Sequence, residues 1–465
     1  MRRARPALLA AAALVAFPAS AEAHGLAQRS NLPIPDWLFG WAATIVLVAS
    51  FAALAALWPT PRLEQPSWRP LPGNLGSVLG SRTVDWICRA IGVALLALVI
   101  AAGYAGEATP LDNLAPTFIL IIFWVGLVFA SAIFGDLFRA FSPWRAFRFR
   151  GLRPYPPQFG RYPAAVGLLG FTWIELVSGW GETPSTLTTA AVIYTLYTLA
   201  AQFVFGTEEW SRNGESFGVY FGMFARISPF EMRERVVGLR PPLGGLPSLE
   251  PVAGTVLFVC VMIGTVTFDG LSQGSVWKSL SVHLVDAVHA LGIGLDASIK
   301  VVNTAGLLLG VLLVTGFYRI GIDGAHSVGG GLSAQRLRRG FIHSLVPIAM
   351  VYVAAHYLTF LLFEGQAIGY LASDPLGRGW DLFGTASASI DFNWLSQSET
   401  WYLQVAFVVA GHVAALALAH DRALVLYGQA KLAVRSQYWM LGVMVGFTTL
   451  ALWLLAQAGA TTLGR

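Results

Sequence analysis

Histidines and carboxylates that fall inside or beside long apolar runs are the residues through which this chain could do chemistry. An ionisable group in a bilayer is costly and is kept mostly for function. One set is His343 and His356 in FIHSLVPIAMVYVAAHYLTFLLFEG, with His412 and His420 in WYLQVAFVVAGHVAALALAHDRA. Neutral imidazole is the commonest metal ligand and a ready acid or base near neutral pH. Histidines facing one another from adjacent helices could therefore hold a cofactor: copper or zinc first, haem second. His343 and His420 share a depth, while His356 and His412 lie deeper and are offset by about 10 Å at 1.5 Å per residue. Within each helix the 13- and 8-residue spacings turn the second imidazole by roughly 140° and 80° from the first. Interhelical hydrogen bonding is the plainer use of these rings.

A second set gathers at the other end of the apolar runs. Glu175, Asp269, Asp286 and Glu364 are candidate catalytic carboxylates, and His283 and His289 are candidate metal ligands. Carboxylates and imidazoles in one water-accessible mouth suit metal-assisted hydrolysis, where ligands hold the ion and a carboxylate takes a proton from bound water. His283, Asp286 and His289 form H-x-x-D-x-x-H, which puts all three on one side of a helix. The solvated face of an amphipathic helix would look the same. His24 is a further candidate ligand, because a free amine and an imidazole on one residue chelate copper well. Asp136, Glu208 and Glu209 join His343, His420 and Asp421 at the opposite side as a possible proton or ion path, although Asp421 beside Arg422 reads as a local ion pair or cap.

Other chemistry is excluded by what is missing. There is no G-x-S-x-G elbow, Gly-rich phosphate loop or H-E-x-x-H. Cys88 and Cys260 both sit in apolar segments, with no C-x-x-C spacing for zinc or redox work.

The elements that must position these groups are membrane helices. Hydrophobic residues make up 55% of the chain and charged ones 12%, about half the charged share of a soluble domain. A hydrocarbon core about 30 Å thick needs about 20 helical residues, and ten stretches approach that length: 37–58, 86–106, 116–138, 163–180, 186–206, 251–269, 302–322, 341–364, 401–420 and 437–457. The fold class expected is all-α, a polytopic bundle of about ten spans forming a single domain over 24–465. Residues 1–23 read as a signal peptide: Arg2, Arg3 and Arg5, an apolar run from Ala7 to Phe17, then Ala21-Glu22-Ala23 as the cleavage site.

Arginines alternate with the loops. Arg62, Arg69, Arg139, Arg145, Arg148, Arg226, Arg240, Arg338 and Arg422 fall on one side, whereas the other side holds little beyond Arg29, Lys278, Lys300, Arg378 and Arg465. The net charge of +5 is thus a topology signal rather than a sign of nucleic-acid binding, and it puts the mature N-terminus and the C-terminus outside a bacterial cytoplasmic membrane. The inner segment 207–250 reads as an interfacial helix, the outer segment 270–301 as amphipathic, and 365–400 as a loop.

The stretches HGLAQRSNLPIPDWLFGWAA, GDLFRAFSPWRAF, FTWIELV, GESFGVYFGMFARISPFE, TFDGLS, HSLVPIAMVYVAAHY and GHVAALALAHDRAL resemble the fenitrothion hydrolase family of bacterial, largely actinobacterial, multi-pass membrane proteins, over nearly the whole mature chain. The resemblance implies cleavage of lipophilic organophosphorus triesters that reach the site from the bilayer. The residues alone keep two other readings open: a copper or haem protein using the four histidines, and a proton-coupled transporter.

Overall fold

A computed structural model describes residues 36–64 and 67–458; the expected signal peptide and His24 lie outside them. The chain is nearly all-α, and each of the ten apolar stretches meets a helix. Among the described residues, eight helices are long and apolar enough to cross a membrane: α1 (Asp36–Leu57), α2 (Arg82–Ala105), α3 (Leu114–Phe134), α5 (Pro184–Phe205), α7 (Thr255–Gln273), α9 (Leu295–Ser327), α12 (Gln397–Tyr427) and α13 (Ala430–Ala458). Two stretches depart from simple spans. α4 (Tyr162–Ser178) is shorter, and the eighth stretch is split into α10 (Ala334–His356) and α11 (Leu358–Ser373), which meet at 60°. Among the described residues the count by length and composition is therefore eight, or nine when the bent pair is taken as one, and the expected figure of about ten spans is not confirmed.

Local chemistry explains the boundaries. Ser81 caps α2 by accepting from the Val84 amide, and Asn113 caps α3 through the Ala115 amide. Ser396 and Glu399 form a reciprocal capping box at the start of α12, and Gly428, at φ 65°, turns the chain into α13.

The central element is α7, whose residues from Phe258 to Gly270 are all buried. α9 lies against it at backbone distance. A Cβ on Gly264 would stand 2.5 Å from Val311 Cα, and one on Gly310 would stand 2.5 Å from the Gly264 carbonyl oxygen. Gly306 and Gly310 form a G-x-x-x-G, the spacing that lets membrane helices approach closely when no hydrophobic force separates lipid from protein.

The inner segment behaves differently from the expected interfacial helix. Its α6 (Ser216–Phe224) buries Phe217, Val219, Tyr220, Phe221, Met223 and Phe224 inside the bundle. There they pack with Phe123, Trp124, Phe138 and Phe171 of neighbouring elements. Outside the helices, β1 (Arg69–Pro70), β2 (Phe230–Arg233) and β3 (Val236–Leu239) form an antiparallel sheet in the order β1-β3-β2, a small departure from all-α. Glu234 and Arg235, both at positive φ, make its two-residue hairpin turn. The outer segments are a helix, α8 (Ser275–His289), and, beyond Ser373, irregular chain up to the start of α12.

The arginine-rich loops meet at one end of the bundle. Asp421 accepts from Trp58 Nε1 at 2.9 Å, the Arg62 amide at 2.6 Å and the Leu63 amide at 2.9 Å, while Arg422 pairs with Glu64 at 2.8 Å. Asp421 thus caps a loop that follows α1 instead of pairing with its neighbour. Asp421→Ala orphans three buried or half-buried donors and is expected to lower stability by about 3 kcal/mol, read as a drop in the Tm of the detergent-purified protein.

Glu208 forms a second tie at this end, to Arg145 at 2.6 Å and Arg139 at 2.8 Å. Burial works against its ionisation, but Arg145 and Arg139 more than offset that and hold the carboxyl below its ordinary 4.5. A depressed acid stabilises the fold while ionised, so its contribution is complete above pH 4.5 and is lost as pH falls through the lowered folded value. Because Glu208 is 58% exposed, solvent screens the effect. The Tm gap between wild type and Glu208→Gln is expected to be small at neutral pH and to close on acidification; a gap that widens in acid would contradict this assignment.

Candidate functional site

The structure joins two residues that the sequence leaves in separate groups. Asp269, near the end of α7, accepts hydrogen bonds at one oxygen, Oδ2, from His356 Nε2 at 2.8 Å and the Tyr357 hydroxyl at 2.7 Å. All three are buried, at 1%, 4% and 1% exposure. His356 ends α10, and Tyr357, at φ −101° and ψ 13°, is the joint at which α11 departs at 60°. The bend and the buried acid thus share one point. The His356 and Tyr357 rings meet edge to face at 4.7 Å, which fixes the imidazole's orientation toward Asp269.

Glu175 completes the centre from α4. It lies in Ile174–Ser178, where the helix is wound one residue per turn wider, and Trp124 occupies a similar π-wound stretch, Thr117–Gly126, of α3. Such windings cluster at functional sites because they turn side chains out of register with the α-helical face. Glu175 is electrostatically coupled to Asp269 and points toward the Trp124 indole, while Tyr220 and Tyr357 are close enough to feel its charge. Trp124 stacks on Tyr220 at 4.7 Å and 17°. Glu175 Oε2, Trp124 Nε1 and Tyr220 Oη are all buried; the Trp124 indole faces Glu175 as its donor, while the Tyr220 hydroxyl makes no hydrogen bond to the protein. An unsatisfied buried polar atom costs on the order of 1–3 kcal/mol, so the Tyr220 hydroxyl beside the Glu175–Trp124 pair marks a polar spot in this part of the bundle. Counted along α4 and α7, the centre is about 20 Å from the arginine-rich end.

The other candidates go elsewhere. His283, Asp286 and His289 do share one side of α8, but that side is exposed. Trp277, Ser281 and Val285 take the buried side, and His289 Nδ1 hydrogen-bonds the Ile293 carbonyl at 2.7 Å. Glu364 is half-buried beyond the bend, in the turn Glu364–Ala367 that follows it. The six outer candidates therefore reduce to one pair, Glu175 and Asp269.

The four helical histidines do not converge either. His420 uses both nitrogens: Nε2 donates to the Trp58 carbonyl at 2.9 Å, and Nδ1 accepts from Gln437 Nε2 at 3.3 Å. No lone pair is left for a metal. His343 Nδ1 bonds the Gly340 carbonyl at 2.9 Å, and His412 Nδ1 bonds the Val408 carbonyl at 2.7 Å, each within its own helix. Only His356 has a carboxylate partner. Among the described residues, no group of three or more His, Cys, Asp or Glu side chains is arranged to hold a metal ion. Asp136 caps the short helix Leu137–Phe141 through the Arg139 amide, so the inner acidic group divides into local caps and ion pairs.

Sequence reasoning missed Trp124, Tyr220 and Tyr357. The available signal was Tyr357 directly after His356, together with a run of aromatics in 217–224 too dense for a solvated loop. Comparison with protein-family models, with curated proteins and with solved structures finds no match to this chain.

Proposed function

We propose that this chain is a multi-pass protein of the bacterial cytoplasmic membrane in which a proton, held among Asp269, His356, Tyr357 and Glu175, is coupled to the movement of a lipophilic small molecule. One observation carries the reading: the hydrogen-bonded Asp269–His356–Tyr357 group stands at a broken helix, with the buried Glu175 carboxyl close by. Intramembrane carboxylates and histidines mark proton paths, and transporters build their sites where helices are interrupted, because interruption frees the backbone to hinge. A proton arriving at the Asp269–His356 pair adds a positive charge to it and alters its hydrogen bonding, and the Tyr357 joint is where that change meets the angle between α10 and α11. The arginine-rich end faces the cytoplasm in this reading, by the positive-inside rule.

A hydrolytic reading keeps one supporting observation besides the family resemblance. A carboxylate that fixes one nitrogen of a histidine is the orienting half of a general-base arrangement, and Asp269 does this to His356.

Infrared difference spectra of the purified protein, taken from mildly acidic to mildly alkaline pH, separate the two. The transport reading expects a titrating buried carboxylic-acid band that Asp269→Asn or Glu175→Gln removes; no titrating carboxyl band overturns it. Nitrophenolate release from fenitrothion by wild type, lost in His356→Gln, would favour hydrolysis.

A further inference from the structure

Away from the Asp269 centre, the bundle contains a cavity of about 60 Å³ between α7, α9, α10, α12 and α13. Its wall is mostly apolar, with Ile263, Phe317, Ile348 and Phe447; of its polar residues, Tyr318 and Ser344 donate their hydroxyls to the Arg338 and Phe341 carbonyls, and His412 keeps a ring nitrogen without a partner. His412 is fully buried. Its Nδ1 is turned back to the Val408 carbonyl at 2.7 Å, so Nδ1 carries the hydrogen and Nε2 is left as a bare acceptor. Nε2 has no protein partner, and neither does the buried hydroxyl of Tyr352, whose ring centre is 6.4 Å from that of His412. Of the wall residues Phe317, Leu345 and Val443 are half-buried and the rest buried, so the least covered side lies by Phe317 of α9 and Val443 of α13.

The geometry points to a second binding site, independent of the proton centre, that takes the hydroxyl end of a straight-chain alcohol from the bilayer. Size selects the shape. A buried cavity that accepts benzene measures about 150 Å³, so this one admits a narrow alkyl terminus and excludes a ring, with the rest of the chain leaving by the least covered side. Polarity selects the end. An apolar wall welcomes methylene groups, but a hydroxyl leaves water only against a waiting acceptor, which His412 Nε2 supplies.

The test uses full-length protein in lipid vesicles with a photoactivatable octanol as probe and peptide mapping of the label. Saturable labelling on α9 and α13 around Phe317, Gly321 and Val443 is expected. Unlabelled 1-octanol should compete about tenfold better than octyl methyl ether, which has no hydroxyl to donate, at equal mole fraction in the bilayer. That preference should vanish in His412→Phe, which keeps a ring in place but removes the acceptor. Val443→Trp, which blocks the least covered side without touching His412, should abolish the labelling. Non-saturable labelling, or an ether that competes as well as the alcohol in wild type, overturns the site. Because the readout is binding, its failure leaves the infrared test of Asp269 unaffected.

Discussion

Asp269→Ala is expected to cost about 3–5 kcal/mol, and Asp269→Asn to fold with a much smaller loss while abolishing the titrating carboxyl band. The alanine variant leaves His356 Nε2 and the Tyr357 hydroxyl buried without their shared acceptor. Each orphaned group carries roughly 1–3 kcal/mol, and the penalty is larger where one partner can be charged. Against a total stability of about 5–15 kcal/mol, that is enough to reduce folded yield. Asparagine preserves the volume, and its carbonyl oxygen in the place of Oδ2 accepts from both donors, though more weakly than a carboxylate, so the cavity stays closed. The proton goes, the packing remains. Tyr357→Phe should cost about 1 kcal/mol, and the double variant with Asp269→Asn less than the sum of the two singles, because both changes act on the same bond. Thermal unfolding in detergent measures all four proteins. An Asp269→Ala variant with the Tm of wild type would show that the buried triad is not holding α7 to the α10–α11 joint.

The helices were legible because apolar length alone dictates them: a run of about 20 apolar residues has no other way to satisfy its backbone in lipid. Their bends were not. Nothing at Ala355–His356–Tyr357–Leu358 resembles a helix breaker, since the nearest proline, Pro347, lies more than two turns earlier. The joint arises from tertiary bonds to Asp269, and these pair residues 87 and 88 positions apart. Counting depth along straight helices therefore placed His356 with His412 rather than with Asp269. Segment 207–250 misled for a related reason. A nine-residue helix is too short to register as a span, and its Arg and Glu neighbours suggest an interface, but Glu215 accepts from the Phe217 and Gly218 amides and from Tyr194, which satisfies the helix start inside the bundle. On α8 the H-x-x-D-x-x-H face was correctly one face. Which way it points was also readable, because Trp277, Ser281 and Val285 recur at four-residue spacing and make the opposite stripe the buried one.

The close contact of α7 and α9 sets the second large expectation: Gly264→Val should abolish the folded protein or lower its stability by about 3 kcal/mol or more. Even the first carbon of a side chain at 264 would stand 2.5 Å from Val311 Cα and 2.7 Å from its amide nitrogen. Neither is a flexible side chain that can swing aside. Restoring an ordinary carbon–carbon separation of about 3.5 Å requires the two helices to part by about 1 Å. That displacement propagates along α7 to Asp269, less than two turns further on, and would stretch the 2.8 and 2.7 Å bonds that tie it to His356 and Tyr357. Gly310→Leu meets the same wall from the other side, at the Gly264 carbonyl. Gly316→Ala on α9 is the control, since nothing lies within 4 Å of its added carbon; the change should be neutral or stabilise slightly by restricting the unfolded chain. Size-exclusion profiles and Tm values of the three variants decide the matter. If Gly264→Val matched Gly316→Ala, the backbone contact would not be what seats α7 at the centre of the bundle, and the geometry of the Asp269 site would have to be maintained from α10 and α4 alone.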